Sequence, residues 1–152
     1  MVKLAGGTGR DVVDTLSKAE RSERMSRIRQ KDTKPELALR SAMHRLGFRF
    51  RLRGSSMPGR PDLVFPMYRT AVFVHGCFWH RHQGCKVATV PKSNTPFWTA
   101  KFSRNVERDG RTAKALEDMG WRIVTVWECD LRLKESVERT AEMLAIALRA
   151  VP

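Results

Sequence analysis

The pattern of apolar and polar positions predicts a well-defined helix in the first third of the chain. Leu39, Met43 and Leu46 recur at helical spacing and therefore share one face. Thr33 precedes this stripe as a candidate N-cap, and Gly47 follows it as a natural C-terminal stop. A helix between these two residues would bury its apolar stripe and leave its charged positions in solvent.

After this helix, apolar residues and arginines alternate strictly. This period of two predicts a half-buried strand over residues 48–53. Arg49, Arg51 and Arg53 then form a row on the solvent side of the strand. Guanidinium groups in such a row can hold phosphates without reading a base sequence.

Two further apolar runs, which begin at Asp62 and Thr70, are joined by a short turn and predict a β-hairpin. If Phe65 lies opposite Thr70, the antiparallel register places Asp62 near Phe73 and Val74. The carboxylate of Asp62 then lies close to the end of the second strand, beside His75.

The rest of the pattern completes an α/β architecture. Segments 97–119 and 133–151 carry helical apolar stripes, and 121–127 is typical of a strand. Segment 76–96 has no periodicity and predicts a long loop, whereas 17–29 favours a highly charged surface helix. The order helix, three strands, helix, strand, helix predicts an α/β sandwich with a mixed central sheet flanked by helices.

Length and charge narrow the class of protein. The 152 residues suit one domain, which we expect over residues 17–152 behind a mobile, Gly-rich arm at 1–16. The 29 Lys and Arg residues outnumber the 16 Asp and Glu residues and give a net charge of +13, which indicates a polyanionic partner. The sequence contains no apolar stretch long enough to suggest a membrane-spanning segment, so nucleic acid is favoured as the polyanionic partner. Without a secretory signal, we expect the cytoplasm.

The cysteines and histidines are concentrated in the long loop. Cys77, His82 and Cys85 have the spacing of metal ligands, and Cys129 at the end of the last strand would complete a tetrahedral Cys3His zinc site. His80 is an alternative ligand, because a Cys-x2-His spacing is equally workable. The competing interpretation is that Cys77 and Cys129 are ordinary buried thiols at strand ends.

Asp62 is a candidate ligand for a second, harder cation. It opens a strand directly after Pro61, where a carboxylate and backbone carbonyls can bind a divalent ion together. From the Pro-Asp pair alone, a turn-forming Asp that caps the preceding loop is the favoured interpretation. The nearby imidazoles of His75 and His80 favour metal-assisted hydrolysis of a phosphodiester.

The aromatic residues divide into two groups. Phe78 and Trp79 lie in the long loop over residues 76–96, here called the metal loop because it contains the candidate zinc ligands. A metal-braced loop would push their rings outward and let them wedge between bases. Trp98 could do the same or pack into the core. Trp121 and Trp127 belong to a strand face and are assigned to the core.

Several short motifs together resemble the very short patch repair endonuclease family over about residues 17–133. The motifs are Pro58-Gly59-Arg60-Pro61-Asp62, Val74-His75-Gly76-Cys77-Phe78-Trp79-His80, Asn105-Val106-Glu107-Arg108-Asp109, Gly120-Trp121 and Val126-Trp127-Glu128-Cys129. The resemblance implies a restriction-endonuclease-like core with a structural zinc. It also implies Mg²⁺-dependent nicking of double-stranded DNA 5′ of the T in a T:G mismatch, which arises when 5-methylcytosine deaminates.

The resemblance assigns roles to individual residues. Asp62 is similar to the family's magnesium-binding aspartate, with the Val74 backbone carbonyl as a further ligand. His80 resembles its general base, and His75 resembles a histidine that assists at the scissile phosphate. Glu36 resembles an acidic residue that reaches the metals through water. The residues similar to its zinc ligands are Cys77, His82, Cys85 and Cys129, and those similar to its intercalating aromatics are Phe78, Trp79 and Trp98.

Two other interpretations remain open at this point. The chain is also compatible with a nuclease of the same fold that has another DNA target, or with a zinc-braced DNA-binding module without catalysis. For the leading interpretation we expect a monomer in the bacterial cytoplasm, associated with the nucleoid, with mismatch-repair proteins as candidate partners.

Overall fold

The computed structural model describes residues 15–28, 31–53 and 56–150. Apart from residues 15 and 16, the expected N-terminal arm lies outside these ranges. The helices are α1 (Lys18–Arg27), α2 (Lys34–Arg45), α3 (Thr95–Asp118) and α4 (Lys134–Arg149), and the strands are β1 (Arg51–Leu52), β2 (Leu63–Phe65), β3 (Thr70–His75) and β4 (Arg122–Trp127).

The four strands form one mixed sheet in the order β1-β2-β3-β4. β1, β2 and β3 pair antiparallel, whereas β3 and β4 pair parallel. Phe65 lies opposite Thr70 and Leu63 lies opposite Val72, so the hairpin and its register are confirmed. The parallel pair requires a long crossover, and the loop after β3 together with α3 provides it.

The helices cover both faces of the sheet. α2 and α4 pack on one face, where Leu39, Val72 and Leu148 belong to a single buried cluster. α3 covers the other face, where Leu116 packs against Ala71. Each fully buried leucine contributes about 2 kcal/mol through the removal of its apolar surface from water. The predicted mixed α/β architecture is therefore confirmed.

The predicted strand over residues 48–53 is wrong in extent, since β1 contains only two residues. The N–H of Phe48 still bonds to Met43 O, so the end of α2 occupies the start of the expected strand. At the other end, Arg53 has φ +49, a left-handed conformation that ends an extended segment. Leu52 is 48% exposed, so the arginine row has no continuous buried face behind it.

α1 is the charged surface helix that the sequence predicts. It buries none of its residues, and a capping box between Ser17 and Glu20 begins it. The Arg21 guanidinium lies 4.8 Å from the centre of the Phe97 ring and attaches α1 to the start of α3.

Among the helices of the described residues, none combines the length and the apolar character that a membrane span requires.

Candidate active site and metal centre

The loop before β2 places Asp62 at the edge of the sheet. Gly59 has φ +70, and a Cβ atom there would lie 2.2 Å from Thr112 Cγ2 of α3, so the close approach of loop and helix requires glycine. The next proline, Pro61, is fully buried. The Asp62 N–H donates to Val72 O at 2.9 Å, and its Oδ2 accepts from the Val74 N–H at 2.7 Å. The predicted contact between Asp62 and the end of β3 is therefore confirmed.

Asp62 carries its charge in an unfavourable environment. Burial, which is partly offset by the hydrogen bond from Val74 and is reinforced by the negative charge of Glu36, raises the pKa of Asp62 to about 6. A half-buried carboxylate with a second carboxylate nearby offers only oxygen ligands, the donor set that Mg²⁺ prefers. The residues around Asp62 thus fit a hard divalent cation.

Glu36 is the second carboxylate, and it is only 4% exposed. Its Oε1 accepts from the Thr33 hydroxyl at 3.0 Å. Its Oε2 accepts from the Asp32 N–H at 3.0 Å and from Arg40 Nη2 at 3.1 Å. These bonds fix Glu36 at the start of α2, where its negative charge acts on Asp62.

Two imidazoles meet at the end of β3. The rings of His75 and His80 stack with centroids 3.8 Å apart, and His80 Nδ1 lies 2.5 Å from Asp109 Oδ2. Burial, and then the charge of His80, lower the pKa of His75 to about 4, so His75 is neutral at pH 7. Ligand atoms of all three residues lie within 4.8 Å of one another, so the group could also hold a transition-metal ion.

Asp109 is a site residue to which the sequence analysis assigned no role. It lies on α3, one turn after Asn105, whose Nδ2 donates to the Trp79 carbonyl at 3.0 Å. Together the two side chains bind consecutive residues of the loop, Trp79 and His80. The available signal was a pair of polar residues four positions apart on a predicted helix, which share one face.

A second cluster contains Cys77, His82, Cys85 and Cys129, whose ligand atoms lie within 4.8 Å of one another. His82 Nδ1 is 3.5 Å from both Cys77 Sγ and Cys129 Sγ. A tetrahedron with Zn–S of about 2.3 Å and Zn–N of about 2.0 Å separates sulfur and nitrogen by about 3.5 Å, so the geometry fits zinc. The cluster contains His82 rather than the alternative His80.

The surroundings of this cluster disfavour a negative charge on two of its three thiols, those of Cys77 and Cys129. Burial and the neighbouring Cys77 raise the pKa of Cys129 to about 12, and burial also raises the pKa of Cys77. A hydrogen bond from the Val87 backbone lowers the pKa of Cys85. A bound cation would stabilise all three thiolates together, which explains why they converge.

Trp127 lies between the two clusters. Its ring stacks on His82 with centroids 4.2 Å apart and meets His75 edge-on at 5.5 Å. The expectation that it is simply a core residue is therefore incomplete. The adjacent Glu128 accepts from the Cys77 N–H at 3.1 Å, which ties the metal loop to the end of β4.

The expectation that the rings of Phe78 and Trp79 point outward is wrong. Both are half-buried, and Phe78 packs against Trp98 and Phe102 with centroids 5.5 and 5.1 Å apart. Trp98 itself is 8% exposed. The Arg81 guanidinium lies 4.0 Å from the centre of the Phe102 ring. In this conformation the three candidate wedge residues form one aromatic cluster at the start of α3.

The three arginines of the predicted row have different surroundings. Arg51 is exposed on β1, and Arg49 is exposed with Nη1 bonded to Phe48 O at 3.1 Å. Arg53 Nη2 lies 3.7 Å from Asp32 Oδ1 and so faces a carboxylate just before α2. The structure thus separates Arg53 from the other two.

This fold and these clusters define a mixed α/β protein with a candidate hydrolytic centre beside a candidate metal centre. The family described as DNA mismatch endonuclease Vsr matches residues 13–86. The chain is 47% identical over 120 residues to the type II nicking enzyme V.XorIIP of Xanthomonas oryzae pv. oryzae, covering 79% of this chain and 88% of that protein. It is 44% identical over 126 residues to the DNA mismatch endonuclease Vsr of Escherichia coli K12, covering 83% and 80%. The chain therefore belongs to the Vsr family.

Proposed function

We propose that this protein is a DNA mismatch endonuclease that hydrolyses one phosphodiester bond on the 5′ side of the T in a T:G mismatch. The observation that supports this most is that β3 joins the half-buried Asp62 carboxylate, through Val74, to the His75–His80 pair. Relatives named as a mismatch endonuclease and as nicking enzymes support a reaction on DNA. The Cys3His cluster would hold a structural zinc.

His80 is the general base of the proposed reaction. In the tautomer that carries its proton on Nδ1, His80 donates to Asp109, and the Nε2 lone pair is then available for a proton from water. The Asp109 carboxylate then stabilises the imidazolium that forms. His75, which stays neutral, would donate a hydrogen bond to the scissile phosphate without adding a like charge beside His80.

Asp62 and the Val74 carbonyl would hold Mg²⁺, and Glu36 would contact it through water. A bound Mg²⁺ supplies polarisation of the phosphate and stabilisation of the developing charge. The protein contributes a pocket in which the carboxylates are already fixed by hydrogen bonds from Val74 and Arg40. Such a fixed pocket needs little reorganisation when the substrate binds.

The aromatic cluster gives the proposed specificity a mechanical basis. Phe78, Trp79 and Trp98 would leave their mutual contacts and insert at the mismatch. A mismatched step costs less to unstack than a paired one, so the exchange is most favourable there. The exposed guanidinium groups of Arg49 and Arg51 would hold backbone phosphates.

The test is an end-labelled duplex with one T:G mismatch, incubated with the zinc-loaded protein and Mg²⁺. We expect a single nick 5′ of the mismatched T, no cut in the T:A control and no product without Mg²⁺. Asp62→Ala should abolish nicking while zinc content and circular dichroism stay unchanged. Equal cutting of T:G and T:A would favour a nuclease with another target, and DNA binding without any Mg²⁺-dependent cut would favour a non-catalytic module.

A further inference from the structure

Trp127 ends β4, and its indole lies between the two imidazoles of the hydrolytic centre and the Cys3His cluster. In the parallel pairing of β3 with β4 it is the direct partner of His75, so both side chains project from the same face of the sheet. The indole meets the His75 ring edge-on, with centroids 5.5 Å apart and planes at 70°. It also stacks on His82, with centroids 4.2 Å apart and planes at 6°. One side chain thus contacts both a candidate catalytic imidazole and a candidate zinc ligand.

Ring contacts surround the His75 side chain. Its imidazole stacks on His80 with centroids 3.8 Å apart and is tilted against Phe73 at 5.7 Å. The contact with Asp109 fixes the plane of the His80 ring, whereas a stack alone lets the His75 ring slide or turn. The indole of Trp127, edge-on to the imidazole, opposes that movement.

The metal loop in turn restrains the indole. His82 Nδ1 lies 3.5 Å from the Sγ atoms of Cys77 and Cys129, so a metal ion held by this cluster would fix the plane of the imidazole. The indole is nearly parallel to that plane and cannot turn without losing the stack. Thr125, two positions earlier on the same face of β4, is exposed, so α3 does not cover the sheet beside the indole. The stack on His82 therefore sets the orientation of Trp127.

We propose that Trp127 is a positioning residue of the hydrolytic centre, which braces the His75 imidazole against His80 and ties its orientation to the Cys3His cluster. The inference rests on the proposed function for the role of His75 at the scissile phosphate, whereas the brace itself is a property of the fold. Trp127 acts on the reaction through His75.

The first measurement follows ring orientation by NMR in the zinc-loaded protein. Stacked imidazoles give nuclear Overhauser effects between the ring protons of His75 and His80. We expect these effects in the wild type and in Trp127→Phe, which keeps a ring in both contacts, and their loss in Trp127→Leu. Trp121→Leu is the matched control, because Trp121 directly precedes β4 at its other end and lies under the Arg69 guanidinium. It should keep the effects.

Nicking kinetics on the T:G duplex measure the consequence for the reaction. Trp127→Leu should lower kcat by roughly ten-fold or more, the cost of a slightly misplaced group, and leave KM nearly unchanged. Trp127→Phe should retain most of the wild-type kcat. In a His75→Ala background, Trp127→Leu should have no further effect, because the imidazole that the indole braces is gone.

Chelator competition measures the link to the Cys3His cluster. Trp127→Leu should still bind one zinc per chain, but with roughly ten-fold lower affinity, because the plane of His82 is no longer held. Trp127→Phe should match the wild type. If Trp127→Leu does not fold, Trp127→Met takes its place in every measurement, since its flexible side chain fills space without a planar ring.

Each outcome decides one claim. Overhauser effects that persist in Trp127→Leu, or equal losses of kcat in Trp127→Leu and Trp121→Leu, would overturn the brace. Losses that add in the double variant would show that Trp127 does not act through His75 and would overturn it as well. An unchanged zinc affinity would remove the tie to the cluster. A wild type that fails to nick the T:G duplex, with the NMR results as expected, would contradict the proposed function alone.

Discussion

At the scale of single residues, the site depends on partners that are distant in sequence. His80 is held by Asp109, which lies 29 positions later on α3. Asp62 is held by the backbone of Val74, which lies 12 positions later on β3. Changes at the partners should therefore affect chemistry more than binding.

Asp109→Asn should lower kcat by about 100-fold, a typical contribution of general acid–base catalysis, and leave KM nearly unchanged. The amide keeps the size of the side chain but cannot stabilise an imidazolium at His80. Single-turnover and steady-state nicking of the T:G duplex measure the two constants. Asp118→Asn is the matched control, because Asp118 is an exposed carboxylate of the same helix that pairs with the exposed Lys114. Equal losses in both variants would contradict the role of Asp109.

Asp62 should destabilise the protein at neutral pH when no hard cation is bound. Its pKa is about 6 in the folded protein and about 3.9 in an unfolded chain, so folding favours the protonated form. This contribution is complete below about pH 4 and is lost as the pH rises through about 6. Asp62→Asn should therefore be about 2 kcal/mol more stable than the wild type at pH 7.5, with little difference at pH 4. Urea unfolding of the zinc-loaded proteins across this range is the measurement, and parallel curves would refute it.

The sequence predicted some residues of the site better than others. Asp62 beside Val74 followed from strand alternation and hairpin register, which are local rules. Asp109 did not follow, because its contact depends on where α3 crosses the sheet. Arg40 was missed for a different reason, since an arginine on a helix is usually solvated and only the fold shows its burial.

At the scale of elements, the metal loop is the part that most needs a ligand. It connects β3 to α3 without a helix or strand of its own. Arg81 binds the carbonyls of Phe78, Ala88 and Thr89 and so closes the loop on itself. The Cys3His cluster joins it to β4. The position of His80 therefore depends on this cluster as well as on Asp109.

His82→Gln should lose the bound zinc, whereas His80→Gln should retain one zinc per chain. Among the residues that the structure describes, only His82 joins the three cysteines as a nitrogen ligand, while His80 belongs to the group with Asp109. Metal analysis of the purified variants measures the zinc content, and His44→Gln, at the exposed histidine of α2, is the control. Zinc loss in His80→Gln with His82→Gln intact would reverse the assignment of the ligand.

Element positions were predictable to within a few residues wherever the apolar period was long. α2, α3, β4 and α4 followed from such stripes. The extent of β1 was not predictable. Strict alternation over six residues cannot show that the end of α2 and the left-handed Arg53 leave room for only two paired residues. The packing of the aromatic cluster could not be predicted from the sequence either, because its members come from two separate segments.

At the scale of the whole molecule, the net charge of +13 suits binding to a polyanion. Only some of the basic side chains, however, are free of other partners and can contact it. Arg40 and Arg53 face carboxylates, and Arg69 donates to the carbonyls of Met119 and Gly120. Arg51 is exposed on the short edge strand. DNA affinity should therefore depend on a subset of the basic residues.

Arg51→Ala should weaken DNA binding and reduce the slope of log K against log salt by about 0.9, the value for one phosphate contact on duplex DNA. The loss should be similar for T:G and T:A duplexes, because a phosphate contact carries no sequence information. Fluorescence anisotropy between 50 and 200 mM salt, a range of about four-fold, is enough to resolve the slope. Lys114→Ala is the control, since Lys114 is already paired with Asp118. An unchanged slope in Arg51→Ala, or an equal change in the control, would remove β1 from the DNA-binding surface and leave the charge of the molecule acting only at long range.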